Sequence, residues 1–93
     1  MLENALVYIE HQRYEKAERL LSRLLDETSE RSYVAAYNLG VVKEIQGERQ
    51  QARQLYTLAD DITIEPVEEI DAAMVRIVQS IREEKHAREQ MLR

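Results

Sequence analysis

From Leu2 to Ile81 apolar residues return every three or four positions, and little interrupts them. That spacing lays a stripe along one face of an α-helix, whereas a half-buried strand alternates at every second residue. Leu2, Ala5, Leu6 and Ile9 mark a first helix, and Tyr14, Ala17, Leu20, Leu21, Leu24 and Leu25 a second. Val34, Tyr37, Val41 and Ile45 share one stripe of a third, with Leu39, Gly40 and Val42 on neighbouring lines. Ala52, Leu55, Tyr56, Ala59 and Ile62 mark a fourth, and Val67, Ile70, Met74, Ile77 and Ile81 a fifth. The one β-like run, Ile62-Thr63-Ile64, is too short to build a sheet and reads as a frayed helix end.

The breaks suit helices joined by tight loops. The chain has only 2 Gly and 1 Pro, the residues that turn-rich sheets consume. Thr28 or Ser29 is placed to cap the third helix, with Glu30 in its first turn. Gly47 can end it, because glycine tolerates the left-handed conformation that follows a last turn. Pro66 suits the first turn of the fifth helix, which then runs to about Leu92. Short connections make successive helices antiparallel, so the expected fold class is all-α, about five helices stacked as hairpins.

Composition narrows the function. At 93 residues the chain makes one domain with a small core. It has no Cys, which excludes disulfides, thiolate metal sites and Cys nucleophiles. Its net charge of −5 opposes nucleic-acid binding. No apolar run approaches the roughly 20 residues that span a bilayer, so no membrane insertion is expected. Met1-Leu2-Glu3-Asn4 carries acid where a signal peptide carries base. A cytoplasmic location is expected, or a periplasmic one if the sequence is a fragment of an exported parent. Acids crowd Asp60–Asp71 and bases gather after Arg76, as the dipole of a long last helix favours. The alternative is an acidic docking patch at Asp60–Asp71.

The hairpins also match one another. Gly40 and Ala73 coincide at an offset of 33 residues, as do Val42 with Val75 and Lys43 with Arg76. At an offset of 35, Ala5 meets Gly40, Leu6 meets Val41, Ala17 meets Ala52 and Leu21 meets Tyr56. A two-helix unit of about 34 residues resembles the tetratricopeptide repeat. Leu39-Gly40, Ala52, Tyr56 and Ala59 are similar to that family's consensus, and Tyr14-Glu15-Lys16-Ala17 resembles its turn into the second helix. The family's large aromatic early in the first helix is missing, and Pro66 falls late. The resemblance implies one domain over residues 1–93: repeat one at 1–29, repeat two at 30–65 and a long capping helix at 66–92. It implies a short right-handed solenoid.

It also implies a function: a protein-binding adaptor or scaffold that holds another protein or peptide in the concave face lined by the first helix of each repeat. The implied protein-binding residues are Leu2, Leu6 and Ile9, then Tyr37, Val41 and Ile45, then Ile70, Met74 and Ile77. Replacing Tyr37 and Met74 by Ala is then expected to weaken association at little expense in stability. Family members that clamp acidic chaperone tails use Lys, Asn and Arg at these inner positions, which are apolar here. The alternative function is a structural homo-oligomer that uses the inner and N-terminal apolar surfaces for self-association. Catalytic chemistry is poorly supplied. Ser22, Ser29, Ser32 and Ser80 lack a His-acid constellation, and there is no glycine-rich phosphate loop. Glu83-x-x-His86 is half of a carboxylate-bridged di-iron motif without its other half. No enzyme activity, cofactor or metal is expected.

Overall fold

The computed structural model describes residues 2–26 and 32–91. These residues form α1 (Leu2–Glu10), α2 (Tyr14–Asp26), α3 (Ser32–Ile45), α4 (Arg49–Ile62) and α5 (Glu68–Met91), with no strand among them. The all-α expectation holds. The proposed caps Thr28 and Ser29, together with Glu30 and Leu92, lie outside the described residues.

The turns after α1 and α3 are the same motif. After α1, the Arg13 N–H donates to the Tyr8 carbonyl (2.7 Å) and the Gln12 N–H to the Ile9 carbonyl (3.0 Å). After α3, the Glu48 N–H donates to the Lys43 carbonyl (2.9 Å) and the Gly47 N–H to the Glu44 carbonyl (3.0 Å). Both are Schellman caps, in which a left-handed residue lets two N–H groups satisfy carbonyls of the last turn. That residue is Gly47 (φ 80°) in one hairpin and Gln12 (φ 61°) in the other. The two lie 35 residues apart, the offset that relates the two hairpins in sequence.

The α4–α5 connection differs. Thr63 leaves α4 in an extended conformation (φ −72°, ψ 140°), so Thr63 and Ile64 are not a frayed helix end. Pro66 lies before α5 rather than in its first turn. The Val67 carbonyl accepts from the N–H groups of Ile70 and Asp71, so Val67 acts as the entry residue.

Packing runs chiefly between consecutive helices. The side-chain pairings fix the directions of the last three. Arg49 at the start of α4 bonds Ser80 and Glu84 late in α5, while Ala59 late in α4 shares a cluster with Ile70 early in α5. Those two helices are therefore antiparallel. Glu44 of α3 pairs with Arg76 of α5, and Ala36 clusters with Ile70, so α3 and α5 run parallel.

The core depends on small residues. Ala5, Ala17, Ala36, Ala52, Ala59 and Ala73 are all completely buried, and large side chains fill the spaces that they leave. One cluster joins α1, α2 and α3 through Ala5, Ala17, Leu21, Ala35, Leu39 and Val42. Two more join α3, α4 and α5. The tightest approach is at Gly40, where the ring of Tyr56 lies against the α3 backbone. A Cβ at Gly40 would sit 2.6 Å from Tyr56 Cε1.

Two stability predictions follow from these positions. Gly40→Ala gains about 1 kcal/mol of helix propensity, but it forces a buried ring aside at about 1–3 kcal/mol. The overlap favours net destabilisation, and Gly40→Leu should be worse; urea denaturation midpoints check both. Gln12→Gly removes a side chain from a left-handed position and should raise stability by about 1 kcal/mol. A lower urea midpoint would contradict that reading of the turn.

Candidate functional site

The candidate site is an apolar surface shared by α3 and α5. Tyr37 and Val41 of α3 join Met74, Val78 and Ile81 of α5 in one cluster over the buried residues Ala52, Tyr56, Ala73 and Ile77. Tyr37, Val41 and Met74 each remain half-buried, so each has area left to offer. Ile45 continues the α3 stripe by one turn and is 50% exposed.

The remaining expected residues do not extend this patch evenly. Leu2 and Ile9 pack against the cluster that joins α1 to α2 and α3, and Leu6 is 41% exposed. Ile70 and Ile77 are 1% and 0% exposed, which corrects their expected place on an open concave face. Buried side chains have no area to give a partner. The physical reason is the position of α5 at the end of the stack. Its apolar stripe turns inward onto α4 and α3, where fully burying an isoleucine is worth about 1.5–3 kcal/mol. The result is a patch on two helices, with α1 residues held separately.

A polar network backs the patch, and sequence reasoning missed it. The rings of Tyr37 and Tyr56 lie 5.8 Å apart and tilted at 38°, an arrangement that favours aromatic contact. The Tyr56 hydroxyl donates to Glu44 Oε1 at 2.7 Å. Arg76 grips the same carboxylate with both arms, Nε to Oε2 at 2.9 Å and Nη2 to Oε1 at 2.8 Å. The three residues come from α4, α3 and α5, so one carboxylate ties three helices together. A bidentate guanidinium–carboxylate pair is stronger and more directional than a simple ion pair. The register of α3 on α5 sets Glu44 beside Arg76, and no spacing within one helix signals it.

The network shifts the titration of its members. The Arg76 hydrogen bonds hold the Glu44 carboxyl below its ordinary value, against an opposing push from burial. Burial, and then the hydrogen bond to Glu44, raise Tyr56 well above the ordinary phenol range. Hydrogen bonding to Glu44 raises Arg76 in turn. At neutral pH the site therefore holds a carboxylate, a neutral phenol and a guanidinium.

Other surface features are occupied by local pairs. A cleft between the start of α4 and the second half of α5 is lined by Gly47, Arg49, Gln51, Ile81, Glu84 and Lys85, among others. Arg49 is held there by Ser80 Oγ (2.8 Å) and Glu84 (3.0 Å), and Glu84 also receives Arg88 at 2.6 Å. The Glu84–Arg88 pair joins residues four apart on α5. In the Glu83-x-x-His86 motif, Glu83 accepts from Gln79 and His86 meets Gln90, so both engage neighbours on their own helix.

Compared with known proteins, the chain matches no family model, no curated protein and no solved structure.

The lowered Glu44 value has a sign that can be measured. A carboxyl depressed in the folded state stabilises the fold above its unfolded value, near the ordinary 4.5. That contribution is lost as pH falls through the folded value. Wild-type thermal stability should therefore drop more steeply than that of Glu44→Gln on acidification below about pH 4.5. Parallel melting curves at stepped pH check this, since the other carboxylates titrate in both proteins.

Proposed function

We propose that this chain is a tetratricopeptide-like adaptor, without catalytic activity, that holds an apolar segment of another protein against the α3–α5 patch. The observation that carries this reading is the half-buried trio Tyr37, Val41 and Met74, brought from two helices onto one surface and continued by Ile45. Tyr37 offers a rigid apolar body with a hydrogen-bonding tip, and Met74 adapts to irregular partners. Beneath the anchor ring lies buried Tyr56, whose hydroxyl is held by Glu44, itself paired with Arg76 at the surface.

The repeat reading is supported by equivalences in the fold. The two hairpin turns share one hydrogen-bond pattern at Gln12 and Gly47. The small residues Ala5, Gly40 and Ala73 are all buried, as are Ala17 with Ala52 and Leu21 with Tyr56. Among the described residues no helix is long and apolar enough to cross a membrane. A second reading, self-association through apolar surface, draws on Leu6 and Val7, which are 41% and 48% exposed on α1.

Peptides selected from a random library on the immobilised chain provide the test. The expected ligands carry apolar anchors. Ile45→Arg should change stability by less than about 0.5 kcal/mol, as exposed substitutions usually do, yet weaken peptide binding. Tyr37→Ala should weaken it by about 2 kcal/mol or more, as hot-spot truncations do. Tyr37 also packs on two core clusters, so its removal will lower the melting temperature too, contrary to the small stability effect expected from sequence. Peptides that bind both variants as well as the wild type would place recognition elsewhere.

A further inference from the structure

The outward face of α5 has its own pattern. Glu68, Ala72, Val75, Gln79 and Arg82 recur at alternating spacings of four and three, and all are exposed. That spacing keeps the five on one face of the helix, with apolar Ala72 and Val75 near its centre. At about 100° per residue, Val75 points roughly 160° away from the buried residues Ala73 and Ile77. Val75 is 69% exposed, with Ala72 one turn before it and half-buried Val78 one turn after. Charge is arranged by sign along that face. Glu68 and Asp71 precede the apolar centre and Arg82 follows it. Among the described residues neither Glu68 nor Arg82 has an ion-pair partner.

We propose that two copies of this chain pair through this face, α5 against α5 and antiparallel, about a twofold axis at Val75. In such a self-complementary contact residue i meets j and j meets i. With Val75 on the axis, Ala72 faces Val78 of the second copy, Asp71 faces Gln79 and Glu68 faces Arg82, each twice. Apolar surface meets apolar surface at the centre, and opposite charges meet at both ends. The alternatives are penalised. Parallel pairing sets Glu68 on Glu68 and Arg82 on Arg82. Sliding the antiparallel pair by one heptad sets Val75 against Arg82 and Glu68 against Glu89. Charge thus favours the antiparallel direction and opposes a slide by one heptad, as flanking charges do in paired helices. The pairing leaves Tyr37 and Val41 of α3 outside it and shares only Val78 with the α3–α5 patch, so the dimer would display the α3 part of that patch twice. It stands whether or not that patch binds a partner.

Sedimentation equilibrium of the full chain from micromolar to millimolar concentration tests the proposal, at near-physiological salt so that the −5 net charge of each copy is screened. The expected result is a monomer–dimer equilibrium. Arg82→Glu and Glu68→Arg should each weaken it roughly tenfold or more, because one reversal creates two like-charge contacts by symmetry. The double variant Glu68→Arg with Arg82→Glu should restore it. Val75→Lys should abolish it, while circular dichroism at dilute, monomeric concentration shows unchanged helicity and melting for every variant. A monomer over the whole range overturns the proposal, as does a double variant no tighter than the single ones. A dimer lost with Ile45→Arg and insensitive to Arg82→Glu also overturns it, and assigns self-association to the α3 patch instead.

Discussion

The contact of Tyr56 with the backbone of α3 at Gly40 sets the geometry of the C-terminal part of the fold. The ring occupies the space that a Cβ would need, so α3 and α4 approach closely there. Its hydroxyl then emerges beside Glu44, one turn along α3, and that carboxylate reaches Arg76 on α5. The same ring also lies against that of Tyr37. One aromatic residue thus combines apolar burial, a satisfied polar tip and a platform for the surface residue above it. A buried phenol without its carboxylate would lose the hydrogen bond and keep the desolvation penalty. The network and the close packing therefore support each other.

The division of labour between small and large residues extends through the molecule. Alanines at helix crossings set the spacing, while Leu21, Tyr56, Ile70 and Ile77 fill it. Ion pairs then tie neighbouring helices at the margins: Lys43 with Glu18 between α3 and α2, and Arg49 with Glu84 between α4 and α5. Half-exposed pairs such as Arg49–Glu84 contribute modestly to stability. Their clearer effect is to fix register, since long helices with short alanine contacts could otherwise slide.

Much of this was legible in the residues. The apolar returns located all five helices, and Gly47 ended α3 as expected, because both signals are local and rest on backbone sterics. The turn at Gln12 was not legible, since glutamine does not mark a left-handed position; only its equivalence to Gly47 discloses it. Pro66 misled for a related reason: it satisfies an extended connector as well as a first helical turn. The surface was read less well. Tyr37, Val41 and Met74 pack against one cluster, whereas Ile70 and Ile77 are buried. Periodicity says which side of a helix is apolar, not how far the last helix of a stack rotates that side inward. The Glu44–Arg76 pair required the relative register of α3 and α5, which spacing within one helix does not contain.

Because each helix packs mainly on the ones before and after it in the chain, most native contacts close short loops. Such topologies have little entropy to overcome before contacts form, and they reach the native state quickly. The same locality makes opening graded. α1 can detach by breaking only its contacts with α2 and α3, without disturbing the clusters around Tyr56. Amide protons of α1 are then free to exchange through fraying, while those around Ala52 and Tyr56 exchange only when a larger unit opens. Protection against solvent is thus distributed along the chain in the order in which the helices are joined.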